Sequence, residues 1–238
     1  MSLKDILVRQ GSEAGLSFTE EQLEKFQLYY EMLVETNKVM NLTAITGERE
    51  VAIKHFIDSL LAWDRDFVDK KLADVGTGAG FPGIPLKIYC PSLQVTLIDS
   101  LGKRINFLEK VIDKLHLKNI SCDHLRAEDA GRNKLHREEY DIVTARAVAR
   151  LNVLAEYCLP LVKKGGRFIA LKGSKYKDET EAGEKAAAVL GGKLEECREV
   201  KLPGLDDARS IIIIRKTGLT SPKFPRKAGT PERTPLGE

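Results

Sequence analysis

The chain is poor in cysteine and histidine, and what it has is scattered. Cys90, Cys122, Cys158 and Cys197 are its four cysteines, and no two stand in a CxxC pair. That spacing excludes the common zinc and thiol-redox motifs and leaves reduced, mostly buried thiols as the expected state. The four histidines, His55, His116, His124 and His136, form neither HxH nor HExxH, so no metal site is expected. Long apolar runs are missing too. No stretch approaches the roughly 18 residues that cross a bilayer. Met1-Ser2-Leu3-Lys4-Asp5 does not lead into a signal-peptide apolar segment. The reading is a cytoplasmic protein with no membrane association. Without a secretory context the sequon Asn41-Leu42-Thr43 carries no meaning.

What is present suits one large domain, or one domain with an extension. Hydrophobic residues at 42% can fill a core, and charged residues at 31% can solvate its surface. The net charge of +3 is unevenly placed. Residues 215–238 hold six basic side chains against Glu232 and Glu238, which leaves the rest slightly negative. This basic, proline-rich end cannot bury apolar surface by itself and is expected to be a flexible tail. Such tails often contact nucleic acid, and a merely solubilising segment has the same composition.

Three regions follow from the patterning: an N-terminal helical extension (1–65), an α/β domain (66–216) and the tail (217–238). In the first, Phe18-Thr19-Glu20-Glu21-Gln22 reads as a capping box, followed by a helical stripe of Leu23, Phe26, Tyr30, Leu33 and Val34. A second helix is expected over 48–61, carrying Lys54, His55, Asp58 and Ser59. From residue 71 strand-like and helical runs alternate, which implies a mostly parallel sheet with helices on both faces. The last two strands are joined only by Pro203-Gly204-Leu205-Asp206-Asp207-Ala208, so a terminal antiparallel hairpin is expected. The fold class is thus α/β, a seven-stranded sheet of the Rossmann-like methyltransferase type.

In such a sheet the ligand sits beyond the carboxyl ends of the strands. After the first strand comes Asp74-Val75-Gly76-Thr77-Gly78-Ala79-Gly80-Phe81-Pro82-Gly83, a turn where glycine lets backbone approach a ligand. Asp99 follows the second strand, 23 residues after Gly76, the spacing at which an acid accepts hydrogen bonds from ribose hydroxyls. Ala127 and Glu128 follow the third, where an adenine edge would lie. Arg146 ends the fourth and Lys172 the fifth. Asp99 and Glu128 also make ordinary helix caps, and Lys172 an ordinary strand end. Arg146 in an apolar segment needs an anionic or polar partner.

Gly78-x-Gly80-x-x-Gly83 satisfies GxGxxG, so a nicotinamide-dependent oxidoreductase competes with an S-adenosylmethionine enzyme. Asp74 ahead of the glycines favours the latter, because a carboxylate suits an amino-acid ammonium and repels a pyrophosphate. Pro82 and Pro85 offer no N–H to an anion. No separate substrate domain follows.

The glycine block, with Leu97-Ile98-Asp99-Ser100-Leu101-Gly102-Lys103-Arg104, closely resembles the bacterial 16S ribosomal RNA guanine-N7 methyltransferases, the glucose-inhibited division protein B family. The resemblance extends to Asn41-Leu42-Thr43, His55-Phe56-Ile57-Asp58-Ser59, Ala145-Arg146-Ala147, Ala170-Leu171-Lys172-Gly173 and Arg209-Ser210-Ile211-Ile212. It spans roughly 15–216. Ser210 departs from it where many relatives have histidine, and Ala79 where many have proline.

The resemblance implies S-adenosyl-L-methionine as cofactor, with Gly76, Phe81, Ala127, Glu128 and Arg146 as contacts and Asp99 as the ribose acid; Asp74, Gly78 and Gly80 complete the expected cofactor set. It implies a guanine in the 530 loop of 16S rRNA as target, reached as free rRNA or as a small-subunit precursor, by a monomer. Guanine N7 has a lone pair and no proton, so no general base is expected and no catalytic residue is named. Asn41, His55, Asp58, Lys172 and Arg209 are the expected substrate-pocket residues, with Arg209 and the tail holding phosphates. Removing residues 217–238 is expected to weaken RNA binding and spare cofactor affinity. A non-catalytic RNA-binding protein is the third reading.

Overall fold

The β-branched runs pair into one seven-stranded sheet in the computed structural model, which describes residues 1–206 and 208–238 and, for Lys175, the backbone alone. The strands are β1 (Lys71–Val75), β2 (Gln94–Asp99), β3 (Ile120–His124), β4 (Tyr140–Arg146), β5 (Val162–Gly173), β6 (Gly192–Lys201) and β7 (Ala208–Lys216). Their order is β3-β2-β1-β4-β5-β7-β6. The first five pair in parallel, while β7 runs antiparallel to both β5 and β6. The expected hairpin is therefore present, with its second strand inserted beside β5. Asp207, in the connecting loop, lies outside the described residues.

Alternation along the strands sorts the core into two layers. Leu72, Val95, Leu97 and Ile169 belong to one apolar cluster; Ala73, Val75, Val143 and Phe168 belong to the other. The first is covered by α1 (Leu3–Glu13), α2 (Glu20–Met40), α5 (Gly83–Tyr89) and α6 (Gly102–Lys114). A composite helix also covers it: α3 (Glu48–Val51), a π-helical segment (Ala52–Ile57) and α4 (Asp58–Leu60). The second is covered by α7 (Ala127–Arg132), α8 (Leu151–Cys158) and α9 (Lys177–Val189). The N-terminal helices thus share a core with the sheet.

The capping box forms as expected: Thr19 Oγ1 accepts from Gln22 N at 3.2 Å, and Gln22 Oε1 accepts from Thr19 N at 2.9 Å. The buried stripe of α2 is Leu23, Phe26, Tyr29 and Leu33. Tyr29, not Tyr30, faces inward, because it lies three residues after Phe26 on the same helix face, where Phe26 meets Phe56 and Tyr29 meets Phe56 and Phe81.

The tail departs from its expected freedom. Phe224 is buried in the second cluster. Arg137 donates to the carbonyls of Gly131, Thr220, Ser221 and Phe224, so its guanidinium ties that segment to the body. Arg226 forms a forked pair with the fully buried Glu156, at 2.6 to 3.1 Å. A short helix, α10 (Thr230–Arg233), ends this path. The composition suggested no core, but a single phenylalanine and a paired buried carboxylate provide anchors that composition does not count.

Phe56 packs against Phe26 at 4.9 Å and Tyr29 at 5.4 Å between centroids, joining the N-terminal helices to the glycine turn. Phe56→Ala should cost about 3–5 kcal/mol in one cooperative urea transition. Two separated transitions would show that the N-terminal helices fold apart from the sheet.

Candidate functional site

The glycine turn after β1 is held from three sides. Gly76 N and Thr77 N both donate to Ile98 O of β2, at 2.9 and 3.2 Å. Tyr29 OH of α2 donates to Ala79 O. Asp74 lies beneath: its Oδ2 accepts from Thr77 Oγ1 at 2.6 Å and Gly83 N at 2.9 Å, and its Oδ1 accepts from Thr144 Oγ1 at 3.1 Å. Gly76, Gly78 and Gly80 all take positive φ, which the turn requires. A Cβ at Gly80 would stand 2.7 Å from Tyr29 Oη, whereas at Gly78 it would meet only Gly76 O at 4.0 Å.

Asp74 departs from its expected place at the cofactor. It is fully buried and lines neither cavity, and three of its four acceptor positions hold the turn and β4. Strand alternation explains this. Val75 lines the cavity beyond β1, so its neighbour points to the opposite face, toward α5. Burial pushes the Asp74 carboxyl up to about 6, against the lowering effect of its three hydrogen bonds.

Two cavities open at the carboxyl edge of the sheet. The first, of about 300 Å³, is lined on one side by Gly76, Asp99, Ser100 and Arg104, and on the other by Ala127 and Glu128. Asp99 is 3% exposed; it accepts from Gly78 N and Leu101 N at 2.9 Å and from Arg104 at 3.2 Å. One acceptor position of its four remains for a ligand hydroxyl. Tyr157, Gly229 and Glu232 complete the lining. Burial and the carboxylates of Glu128 and Glu232 push the Tyr157 phenol up, so it stays a donor.

The second cavity, of about 340 Å³, is lined by Lys54, His55, Asp58, Arg146, Lys172 and Arg209, among others. Register explains the gathering: Arg146 pairs with Leu171, and Gly173 with Arg209. Because β7 is antiparallel, its first residues reach the edge where β4 and β5 end. Asp58 Oδ2 accepts from Arg146 at 2.6 Å and its Oδ1 accepts from Arg209 Nε at 3.0 Å. Arg146 also donates to the carbonyls of Lys54 and His55, at 3.3 and 3.4 Å. Those carbonyls belong to the π-helical segment, a form concentrated at functional sites. Lys172 Nζ reaches Glu179 at 2.7 Å and Ala149 O at 2.9 Å.

His55 stacks on Phe81 at 4.6 Å, with the Arg146 guanidinium 5.0 Å from the same ring. Burial, then the Arg146 charge, pushes the imidazole down to about 3, so it is neutral near pH 7. Thr43 Oγ1 lies 2.8 Å from its Nε2.

The expected residues thus divide. Gly76, Asp99, Ala127 and Glu128 line the first cavity; His55, Asp58, Lys172 and Arg209 line the second. Arg146, expected at the cofactor, lines the second. Phe81, Gly78 and Gly80 support the turn and line neither cavity; Asn41 sits apart, at the left-handed cap of α2. Tyr157, Gly229 and Glu232 were missed. The signal available for the last two was Gly229-Thr230-Pro231-Glu232, a helix start with proline in its first turn.

Among known proteins, the family described as GidB, rRNA small subunit methyltransferase G, matches residues 22–211. A ribosomal RNA small subunit methyltransferase G of Lactobacillus helveticus is 54% identical over 229 residues, covering 94% of this chain and 95% of that one. The 16S rRNA (adenine(1408)-N(1))-methyltransferase of Catenulisporales acidiphilia shares the fold with a TM-score of 0.53 at 14% identity, over 66% of this chain and 89% of that chain. TYW2 of M. jannaschii, solved in complex with AdoMet, superposes with a TM-score of 0.50 at 19% identity, over 62% of this chain and 69% of its own.

The raised Asp74 value gives a signed prediction. With a folded value of about 6 above the ordinary 3.8, this group adds stability as pH falls from about 6 toward 4, and that contribution is lost as pH rises through 6. Asp74→Asn removes it. The unfolding free energy of the native chain minus that of the variant should therefore grow by about 2 kcal/mol between pH 7.5 and 4.5. A difference that stays flat in urea titrations at the two pH values would place the proton elsewhere.

Proposed function

This chain belongs to the GidB family, rRNA small subunit methyltransferase G, and we propose that it methylates N7 of one guanine in the 530 loop of 16S rRNA. It is an S-adenosylmethionine-dependent rRNA methyltransferase by that membership. No helix among the described residues is long and apolar enough to cross a membrane. We read the enzyme as a cytoplasmic monomer acting on 16S rRNA or on a small-subunit precursor. The observation that carries this reading is the junction of the two cavities: both are lined by Ala147, just past the end of β4. A cofactor in one and a base in the other would meet there.

The first cavity fits an adenosine-bearing group. Asp99 presents a carboxylate with one acceptor position left. A Cβ at Gly76 would stand 2.6 Å from Val148 Cγ2, so only glycine keeps that wall open. Asp99 would hold ribose hydroxyls, while the backbone of Gly76, Ala127 and Glu128 would bound the rest. When bound, S-adenosylmethionine supplies an electrophilic methyl on sulfur.

In the second cavity no side chain has to remove a proton, because guanine N7 carries none. Neutral His55, between Thr43 and the Phe81 ring, suits a base-contacting surface better than a proton carrier. Asp58 and two carbonyls fix the Arg146 guanidinium, so it is oriented before substrate arrives. Lys54, Lys172 and Arg209 supply positive charge for the RNA backbone. Buried beneath the turn, Asp74 does not discriminate between S-adenosylmethionine and a dinucleotide. Family membership and the antiparallel β7 decide against it instead.

Labelled S-adenosylmethionine and small subunits from cells lacking the enzyme should give one methyl per subunit, at guanine N7. A folded protein that transfers none, or methylates another atom, overturns the assignment. Arg146→Ala should lower kcat/KM for subunits at least about tenfold, a loss of ~1.4 kcal/mol, while cofactor affinity changes less than threefold. A matching loss in cofactor affinity would return Arg146 to the cofactor set.

A further inference from the structure

We propose that the C-terminal segment is the outer wall of the cofactor cavity, so that cofactor affinity depends on its docking; this rests on the S-adenosylmethionine reading of that cavity. Sequence composition pointed this segment at RNA. Its contacts point at the cofactor.

Gly229 and Glu232 line the same cavity as Asp99, on the side of Tyr157 and Glu128. Gly229 N donates to Glu128 Oε1 at 2.9 Å, fixing that carboxylate at the cavity wall. Tyr157 OH donates to Glu232 Oε1 at 3.2 Å. Behind this wall the segment is anchored by the Arg226–Glu156 pair and by Pro225 O, which accepts from Arg132 at 2.9 Å. Gly131 shows how close the segment lies: a Cβ there would stand 2.8 Å from Pro225 Cγ. Gly229 holds φ at +77°, so the chain turns toward Glu128 through a conformation that L side chains rarely adopt.

Gly229 and Glu232 are therefore positioning residues. Without the segment the cavity would lose a wall, and the Glu128 carboxylate the hydrogen bond that Gly229 N donates to it. Linkage makes the effect reciprocal: if docking raises cofactor affinity, the bound cofactor must hold the segment down by the same factor. The RNA cavity shares none of these contacts, so subunit recognition should be untouched.

The test uses the full chain and S-adenosylhomocysteine, the demethylated product, as titrant. Gly229→Val, where the added Cβ meets nothing within 4 Å but φ is strained, should raise Kd about tenfold. Glu232→Ala should raise it threefold or more, and Glu232→Gln, whose amide oxygen still accepts from Tyr157, should bring it back within twofold of the native value. KM for the cofactor should rise in step, with kcat at saturation and KM for subunits unchanged. On the native chain, saturating S-adenosylhomocysteine should slow tryptic cleavage after Lys223, Arg226, Lys227 and Arg233 at least fivefold. Native binding with unchanged Kd in the variants, or equal cleavage with and without titrant, overturns the proposal. A native chain that does not bind S-adenosylhomocysteine overturns the cofactor reading itself.

Discussion

The turn on which both cavities depend is held by one buried carboxylate. Asp74 binds Thr77 and Gly83 at either end of the glycine block and Thr144 on the neighbouring strand. The turn needs positive φ at three glycines, a shape an unsupported loop would populate only in part. Three hydrogen bonds to a charged group, each worth about 1.5–3 kcal/mol, offset the burial that raises the Asp74 value to about 6. With the turn fixed, Gly78 N meets Asp99 and the Phe81 ring lies beneath Arg146 and His55. One scaffold carboxylate thus orients groups in both cavities while touching neither.

Much of this arrangement was legible in the sequence. The alternation after residue 71, the terminal hairpin and the glycine block at the end of β1 are local patterns, and local patterns survive folding. Asp99 was legible for the same reason: it ends a strand and its distance from Gly76 is set by one βαβ unit. The failures were long-range. Asp74 and Asp99 share a face of the sheet, since Asp74 pairs with Leu97 and Asp99 lies two residues further on, but Asp74 sits inside β1 beneath Thr77 and α5, whereas Asp99 is the last residue of β2 and borders the cavity. Arg146 was recognised as needing an anion, but its partner, Asp58, lies 88 residues away. The tail was misread because a flexible segment and a docked one differ by few residues. Phe224 and Arg226 anchor it, and nothing in their spacing announces Glu156.

Charge explains how a nearly neutral protein can present a local basic cavity, the one proposed to receive RNA. The chain carries a net charge of +3, yet Lys54, Arg146, Lys172 and Arg209 converge on one cavity. Convergence comes from topology: β4 and β5 deliver their last residues to this edge and antiparallel β7 its first. Such a cluster repels itself unless anions are interleaved. Asp58 serves two guanidiniums at once, and Glu179 serves Lys172. The interleaving leaves the side chains oriented, with excess positive charge for phosphate.

Methyl transfer to N7 moves positive charge from sulfur to the purine, and the two cavities differ in the way this demands. The first is bordered by three carboxylates, Asp99, Glu128 and Glu232, against Arg104 and Arg126, and this small acidic excess would favour a cationic cofactor over its neutral product. The second has one carboxylate, Asp58, already shared by two arginines, so it offers no free anion to a methylated, cationic base. Under the proposed reading, neutral guanine would enter without that penalty, drawn by the phosphates of its RNA. With cofactor and base placed as proposed, affinity would favour the reactants on both sides of Ala147, the cationic donor beside the acidic excess and the uncharged base in the basic cavity. The acidic wall that Glu232 completes belongs to this balance as much as to shape: removing it takes away both a surface and a charge.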